Sequence, residues 1–263
     1  MYGKSIRMER IIDRRTGNAV IIPMDHGISS GPIQGLTDMK RTVDDVAEGG
    51  ATAVLMHKGL IRYAYRGYGN DIGLIMHLSA STDIGENENS KILVSSVEEA
   101  IKAGADAVSV HINFGAENEK EMLRSVGNVS RSCAEWGMPL MVMAYPRGPR
   151  VRDEYDPEAI AHCARAAAEL GADIVKVSYT GDIDSFREVC RGALAPVVIA
   201  GGPKMDSDMD ILNMVHDSLE AGGRGVSIGR NIFQNRNVKG ITRAVSGIVL
   251  DGLTVEEAAR YLE

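Results

Sequence analysis

Four times along the chain a helix-like stretch ends on a glycine and passes at once into a short apolar run. The junctions are GGATAV at 49–54, AGADAV at 103–108, LGADIV at 170–175 and AGGRGV at 221–226. A glycine at that point suits the left-handed turn that closes a helix, and the run behind it suits a strand covered on both faces. Two more strands open on proline, in WGMPLMV at 136–142 and ALAPVVI at 193–199. Punctuation repeated in this way describes successive βα units. Strands are expected at 19–25, 52–57, 73–79, 107–112, 139–145, 173–178, 196–201 and 225–229.

The segments between them carry helical periodicity. Residues 37–48 start from a threonine cap and set Met39, Val43 and Val46 on one side. Residues 156–170 have Asp156 as cap and Pro157 at the first helical position. The stretches 206–221 and 237–250 read similarly. Eight units in a chain of 263 residues match the usual size of a (β/α)8 TIM barrel. An open doubly wound sheet is the rival, but no GxGxxG follows the first strand, and eight regular units favour closure. With no linker or low-complexity tract, the expectation is one barrel domain over 1–263, in which residues 1–18 form an extension packed on the barrel. The stretch SASTDIGENENS at 79–90 is expected to be a long loop, placed to serve as a lid or binding loop.

Composition narrows the function classes. No apolar run approaches a membrane span, and the charged N-terminus lacks the apolar segment of a secretory signal. Three cysteines, Cys133, Cys163 and Cys190, stand far apart without a CxxC, which suits a reducing cytoplasm better than a disulfide framework. A net charge of −7 offers no whole-chain attraction for nucleic acid.

In barrels the chemistry sits at the C-terminal ends of the strands. Here those ends carry Asp25, His26 and Gly27; His57, Lys58 and Gly59; His77; His111 and Asn113; Tyr145, Pro146 and Arg147; Lys176; Gly201, Gly202, Pro203 and Lys204; Gly229 and Arg230. Core packing alone gives no reason for such a polar crown. Lys176 is the most informative of these residues. Alternation within DIVKVS puts Ile174, Lys176 and Ser178 on one face and Val175 and Val177 on the other. If the valines meet the helices, the lysine points into the barrel. A free amine with a pKa of ~10.4 is neutral in roughly one molecule in a few thousand at pH 7. Burial and neighbouring cations lower that pKa and yield a nucleophile able to form a Schiff base with a carbonyl. The alternative is a lysine paired structurally with an acidic neighbour.

Asp25 can accept a proton, and Tyr145 can donate one, the more so if Arg147 or Lys204 lowers its pKa. Each has an alternative reading, as a turn-former and as a rim aromatic. Gly201 and Gly202 together with Gly229 and Arg230 resemble a phosphate cradle, although tight βα turns use glycine in any case. His26, His57, His77 and His111 make a metal site conceivable, but no HxH or HxxxH occurs, and the expectation is no metal and no cofactor. GKS at 3–5 lacks the context of a P-loop. KGLIRYAYRGY at 58–68 reads as a loop and short helix over a phosphorylated substrate.

With PMDHG at 23–27, MAYPRGP at 143–149, DIVKVSYTGD at 173–182, AGGPK at 200–204 and SIGRNIFQ at 227–234, nearly the whole chain resembles the archaeal-type class I aldolases. These are the fructose-bisphosphate aldolase and deoxyribose-phosphate aldolase-like group. VIIPMDHGISSGPIQGL, LMHKGLIR and GLIMHLSAST place it nearest the 2-amino-3,7-dideoxy-D-threo-hept-6-ulosonate synthase branch. The resemblance implies Lys176 as Schiff-base lysine, Asp25 as proton acceptor and Tyr145 as proton donor. It implies a substrate and phosphate site of His26, Gly27, Ile28, Ser29, Pro146, Arg147, Gly201, Gly202, Gly229 and Arg230, with His57, Lys58 and Lys204 as possible additions. The implied reaction passes a three-carbon unit from a phosphorylated deoxy-diketohexose to L-aspartate 4-semialdehyde, on a route to 3-dehydroquinate and the aromatic amino acids. Fructose-bisphosphate aldolase is the alternative. Members of the group tend to form rings, so a homo-oligomer is expected.

Overall fold

The computed structural model describes residues 2–67 and 72–263. Eight parallel strands close into a barrel: β1 (Ala19–Pro23), β2 (Ala53–Met56), β3 (Gly73–His77), β4 (Ala107–Phe114), β5 (Leu140–Pro146), β6 (Ile174–Ser178), β7 (Val197–Ala200) and β8 (Gly225–Ser227). These are the eight strands read from the sequence, with ends moved by at most two residues. Each lies beside its neighbours in the chain, and β1 closes the circle on β8, Ala19 opposite Gly225 and Ile21 opposite Ser227.

The junction glycines behave as their position requires. Gly50, Gly104, Gly171 and Gly222 have φ between +81° and +102°, and each turns the end of a helix toward the next strand. Before β7 the same left-handed turn falls on Leu194, at φ +58°, where a side chain with a Cβ costs ~1 kcal/mol. The helix expected at 37–48 runs Met39–Glu48 and is capped by Asp38, not Thr37. The Asp38 carboxylate accepts from the Arg41 N–H at 3.1 Å, a reach that Thr37, one residue earlier, does not have.

Strand alternation divides the apolar residues between two layers. Val20, Ile22, Val54, Met56, Val175 and Val177 pack outward against the helices. Ile21, Leu55, Ile75, Met141, Ile174 and Val198 fill the interior. Ile11 joins that interior cluster from the N-terminal side, carried there by the segment after the helix Tyr2–Met8. Arg10 pairs with Asp106, Lys4 pairs with Asp173 at 2.9 Å, and Arg7 donates to the Gly137 carbonyl at 3.0 Å. The Arg10 carbonyl lies so close to Gly73 that a Cβ there would sit 2.3 Å from it. All these partners are at strand beginnings or just before them, so the segment seals the N-terminal mouth.

After β3 a two-stranded antiparallel ladder, Ser79–Ala80 with Ile92–Leu93, carries the loop between them over the opposite mouth. Among the described residues no helix is long and apolar enough to cross a membrane.

Candidate active site

Inside the barrel the inward positions change character from bottom to top. On β4 they run Ala107, Ser109, His111, Asn113; on β5, Met141, Met143, Tyr145; on β6, Ile174, Lys176, Ser178. Lys176 follows the inward Ile174 by two residues, while Val175 and Val177 lie in the outer cluster, so its side chain rises along the interior wall. It is 7% exposed and opens into a cavity of ≈ 400 Å³ at the C-terminal mouth. Asp25, His26, His111 and Tyr145 stand on the same wall. No carboxylate lies within 4.0 Å of the lysine among the described residues.

Burial pushes the Lys176 amine down from the lysine range, Asp25 pulls it back and Arg147 opposes Asp25; the result is about 8. The amine is therefore neutral in a useful fraction of molecules near neutral pH. Burial alone would raise Asp25, but the charges of His77, His26, Lys176 and His57 outweigh it and hold the carboxyl below the usual range. His77 is itself pushed down to about 3 by burial, so near neutral pH its imidazole is uncharged and the Lys176 ammonium is the partner that remains cationic. His77 stays oriented through Ser109, 2.7 Å from its Nδ1, with Nε2 3.9 Å from Asp25 Oδ2. The condition that Arg147 or Lys204 lower the Tyr145 pKa is not met. Burial raises its phenol above the ordinary value, and Asp25 adds to that effect. Arg147, stacked 4.6 Å from the ring centre, lowers it but does not prevail. A high pKa keeps the phenol protonated, the form that donates.

The loops after β7 and β8 meet on one side of the cavity. Arg230 donates to the Gly202 carbonyl at 3.3 Å. Buried Asn231 donates to the Gly201 and Pro203 carbonyls at 2.8 and 3.0 Å and accepts from the Met205 N–H. A Cβ on Gly201 would meet Ile228 at 2.7 Å, and one on Gly229 would meet the His26 ring at 2.6 Å. Both glycines thus have a packing reason, and the close approach leaves backbone and Arg230 facing the cavity.

Other sequence candidates lie elsewhere. Lys204 extends to the Gln234 carbonyl at 2.9 Å, and Lys58 reaches the Val94 carbonyl at 2.9 Å and Glu99 at 3.0 Å, so neither lines the cavity. Residues 58–63 form a tight helical turn outside its wall, which corrects their placement over substrate; Tyr68 lies outside the described residues. Pro146 faces away from the cavity because strand alternation gives Tyr145 and Arg147 the inward positions. In the short helix Gly27–Ser30, Ser29 and Ser30 reach the wall, whereas Gly27 and the exposed Ile28 do not. His57 packs edge-on against His77, with ring centres 5.1 Å apart, behind the wall rather than in it.

Three wall residues come from the loop after β3: Asp83, Glu88 and Lys91. Their signal in the sequence was only the polar stretch 79–90, which ends one residue before Lys91. Ser178 and Ser227 were legible by period two, standing two residues after Lys176 and two before Gly229. The loop is fastened at both sides. Asp83 N–H donates to the Ser29 carbonyl, Ser30 donates to Asp83, and Asn113 donates to the Asn89 carbonyl. Among the described residues no group of three or more His, Cys, Asp or Glu is arranged to hold a metal.

Residues 19–235 match the DeoC/LacD family aldolases. A 2-amino-3,7-dideoxy-D-threo-hept-6-ulosonate synthase from Archaeoglobus fulgidus is 41% identical over 261 residues, covering 99% of this chain and 96% of the relative. A 2-amino-4,5-dihydroxy-6-oxo-7-(phosphonooxy)heptanoate synthase from Streptomyces griseus is 39% identical over 233 residues, 89% of this chain and 85% of the relative. Among solved structures, an archaeal fructose-1,6-bisphosphate aldolase with its catalytic lysine bound to the carbinolamine intermediate superposes with a TM-score of 0.87. It is 32% identical over 94% of this chain and 99% of its own.

Proposed function

The chain belongs to the DeoC/LacD family of aldolases, and on that footing we propose that it passes a three-carbon ketone unit from a phosphorylated deoxy-diketohexose to L-aspartate 4-semialdehyde. The observation that carries this reading is a lysine amine inside the barrel, free of any carboxylate within 4.0 Å among the described residues, opening into a cavity shared with an aspartate and a tyrosine. The names of the relatives supply the substrates. Both describe seven-carbon 2-amino acids with a carbonyl at carbon 6 and oxygen at carbons 4 and 5. An aldol bond between carbons 4 and 5 divides either molecule into a four-carbon amino-acid aldehyde and a three-carbon ketone. The first is the skeleton of aspartate 4-semialdehyde.

The neutral Lys176 amine attacks the donor ketone, and loss of water leaves an iminium. Asp25 removes the proton from the hydroxyl β to that iminium, the carbon–carbon bond breaks, and an aldehyde departs while the enamine stays on the lysine. The enamine carbon attacks the incoming aldehyde, and Tyr145, held protonated, donates to the forming alkoxide and regains a proton from the acid form of Asp25. Water then releases the ketone product and the free amine. The Gly201, Gly202, Gly229 and Arg230 side of the cavity takes the phosphate. The product, 2-amino-3,7-dideoxy-D-threo-hept-6-ulosonate, enters the route to 3-dehydroquinate and aromatic amino acids.

The likeness to a fructose-1,6-bisphosphate aldolase favours one second reading, cleavage of that bisphosphate by the same lysine. Incubation with each donor, borohydride reduction and mass mapping would show whether Lys176 is modified and by what. Mass analysis of the unreduced reaction, with and without aspartate semialdehyde, identifies the product. A seven-carbon amino acid is expected. An adduct on another lysine, or triose phosphates alone, would overturn the assignment.

A further inference from the structure

The barrel order sets two sides to the cavity. β7 and β8 bring the glycine loops and Arg230 to one, next to Lys176 on β6; β3, β4 and β5 form the other. On that second side the loop after β3 contributes one cation and two carboxylates. Lys91 is half-buried and donates to Ser81 Oγ, and it forms no ion pair within 4.0 Å among the described residues. Glu88 and Asp83 share its cavity, and after Asp25 they pull its pKa up against the lowering by burial and Arg147. Asp83 accepts from Ser30 at 2.9 Å, and the Glu88 carboxylate is exposed. Arg147 is already committed, paired with Glu154 at 2.8 Å and stacked on Tyr145.

Two opposite charges that share a cavity without pairing invite a ligand that carries both. A second phosphate would meet Lys91 but would also face two carboxylates. A simple aldehyde would leave all three groups unanswered. An α-amino acid end satisfies them together, its carboxylate on the ammonium and its ammonium on the carboxylates. We propose that Lys91, with Glu88 and Asp83, is the subsite that binds the zwitterionic head of the amino-acid aldehyde and so selects the acceptor. This rests on the transfer reaction proposed above and names the residues that give it specificity. Lys91, Glu88 and Asp83 line the same cavity as Lys176, so an acceptor held by its head can present its aldehyde to the enamine on that lysine.

The test separates acceptor from donor. With the donor fixed at saturation, Lys91→Met is expected to raise the KM for L-aspartate 4-semialdehyde roughly 10–100-fold, the loss of one charge-assisted contact. The donor KM and the KM for propanal, an acceptor without charges, should stay within about twofold. Lys91→Arg should recover most of the loss. Glu88→Gln, on the exposed rim, should raise the same acceptor KM several-fold and gives a second reading should Lys91→Met fail to fold. An unmoved acceptor KM overturns the proposal, as does a rise in donor KM, which would make Lys91 a phosphate ligand. Ser81→Ala reproducing the Lys91→Met effect would also overturn it, by assigning the lysine to loop structure. Failure of the wild-type protein to be trapped at Lys176 would sink the transfer reaction itself, a result distinct from any of these.

Discussion

The two mouths of this barrel differ in how their charges are used. At the N-terminal mouth Lys4 and Arg10 are each answered by an aspartate, Asp173 and Asp106, and Ile11 closes the interior from below. At the C-terminal mouth Lys176 and Lys91 have no carboxylate within 4.0 Å among the described residues, although Asp25, Asp83 and Glu88 share their cavity. Volume does not tell the ends apart, since a groove along the N-terminal segment measures ≈ 430 Å³ against ≈ 400 Å³ for the cavity above Lys176. Neutralised charges are a device for closure, and charges kept apart in a concave wall are a device for binding and proton transfer.

Breaking the working end should have the largest effects. Lys176→Ala removes the nucleophile, and turnover should fall roughly ten-thousandfold or more with complete loss of borohydride trapping; residual trapping elsewhere would point to a different lysine. Tyr145→Phe keeps the amine but not the donor, so turnover should drop roughly a hundredfold to a thousandfold while an adduct still forms. Because Lys176 titrates at about 8 and reacts as the free amine, kcat/KM should climb through that pH and level above it. The slope below it should be about tenfold per pH unit. A profile that falls over the same range would contradict the assignment. Arg230→Ala should raise the donor KM about tenfold with kcat nearly unchanged, since phosphate contacts serve bound substrate and transition state alike. A fall in kcat alone would remove phosphate from that corner.

Sharpening the contrast means altering the sealed end. Asp106→Ala strands the Arg10 guanidinium and frees the Leu74 N–H, which Asp106 accepts at 2.9 Å. Unfolding free energy should drop by about 2 kcal/mol, a few degrees in Tm, with kcat/KM within twofold. A large loss of activity without a Tm change would mean that the two mouths are coupled.

The barrel was legible because its information is local. A glycine at a helix end and a valine-rich run declare themselves within six residues, as the four left-handed junctions bear out. Lys176 was legible for a related reason: alternation over DIVKVS gives the direction of its side chain without knowledge of any other strand. Residues whose role depends on distant neighbours were not. Lys58 and Lys204 sit beside informative glycines in the sequence, yet each has a carbonyl within reach outside the cavity. Asn231 ties the two glycine loops together from within SIGRNIFQ, where nothing local marks that role. Lys91 entered the wall only through a loop fastened to two other strand ends, which no local pattern encodes. Whether Arg147 acidifies Tyr145 could not be read, because a nearby arginine is visible in a sequence and burial is not.

The pairing of Ala19 with Gly225 also has a consequence in time. The first strand waits on the order of two hundred residues for its second neighbour, the sort of distant contact that slows folding. As the protein leaves the ribosome, a growing arc of strands has both edges open until the last of them emerges, and needs protection from strangers for that interval.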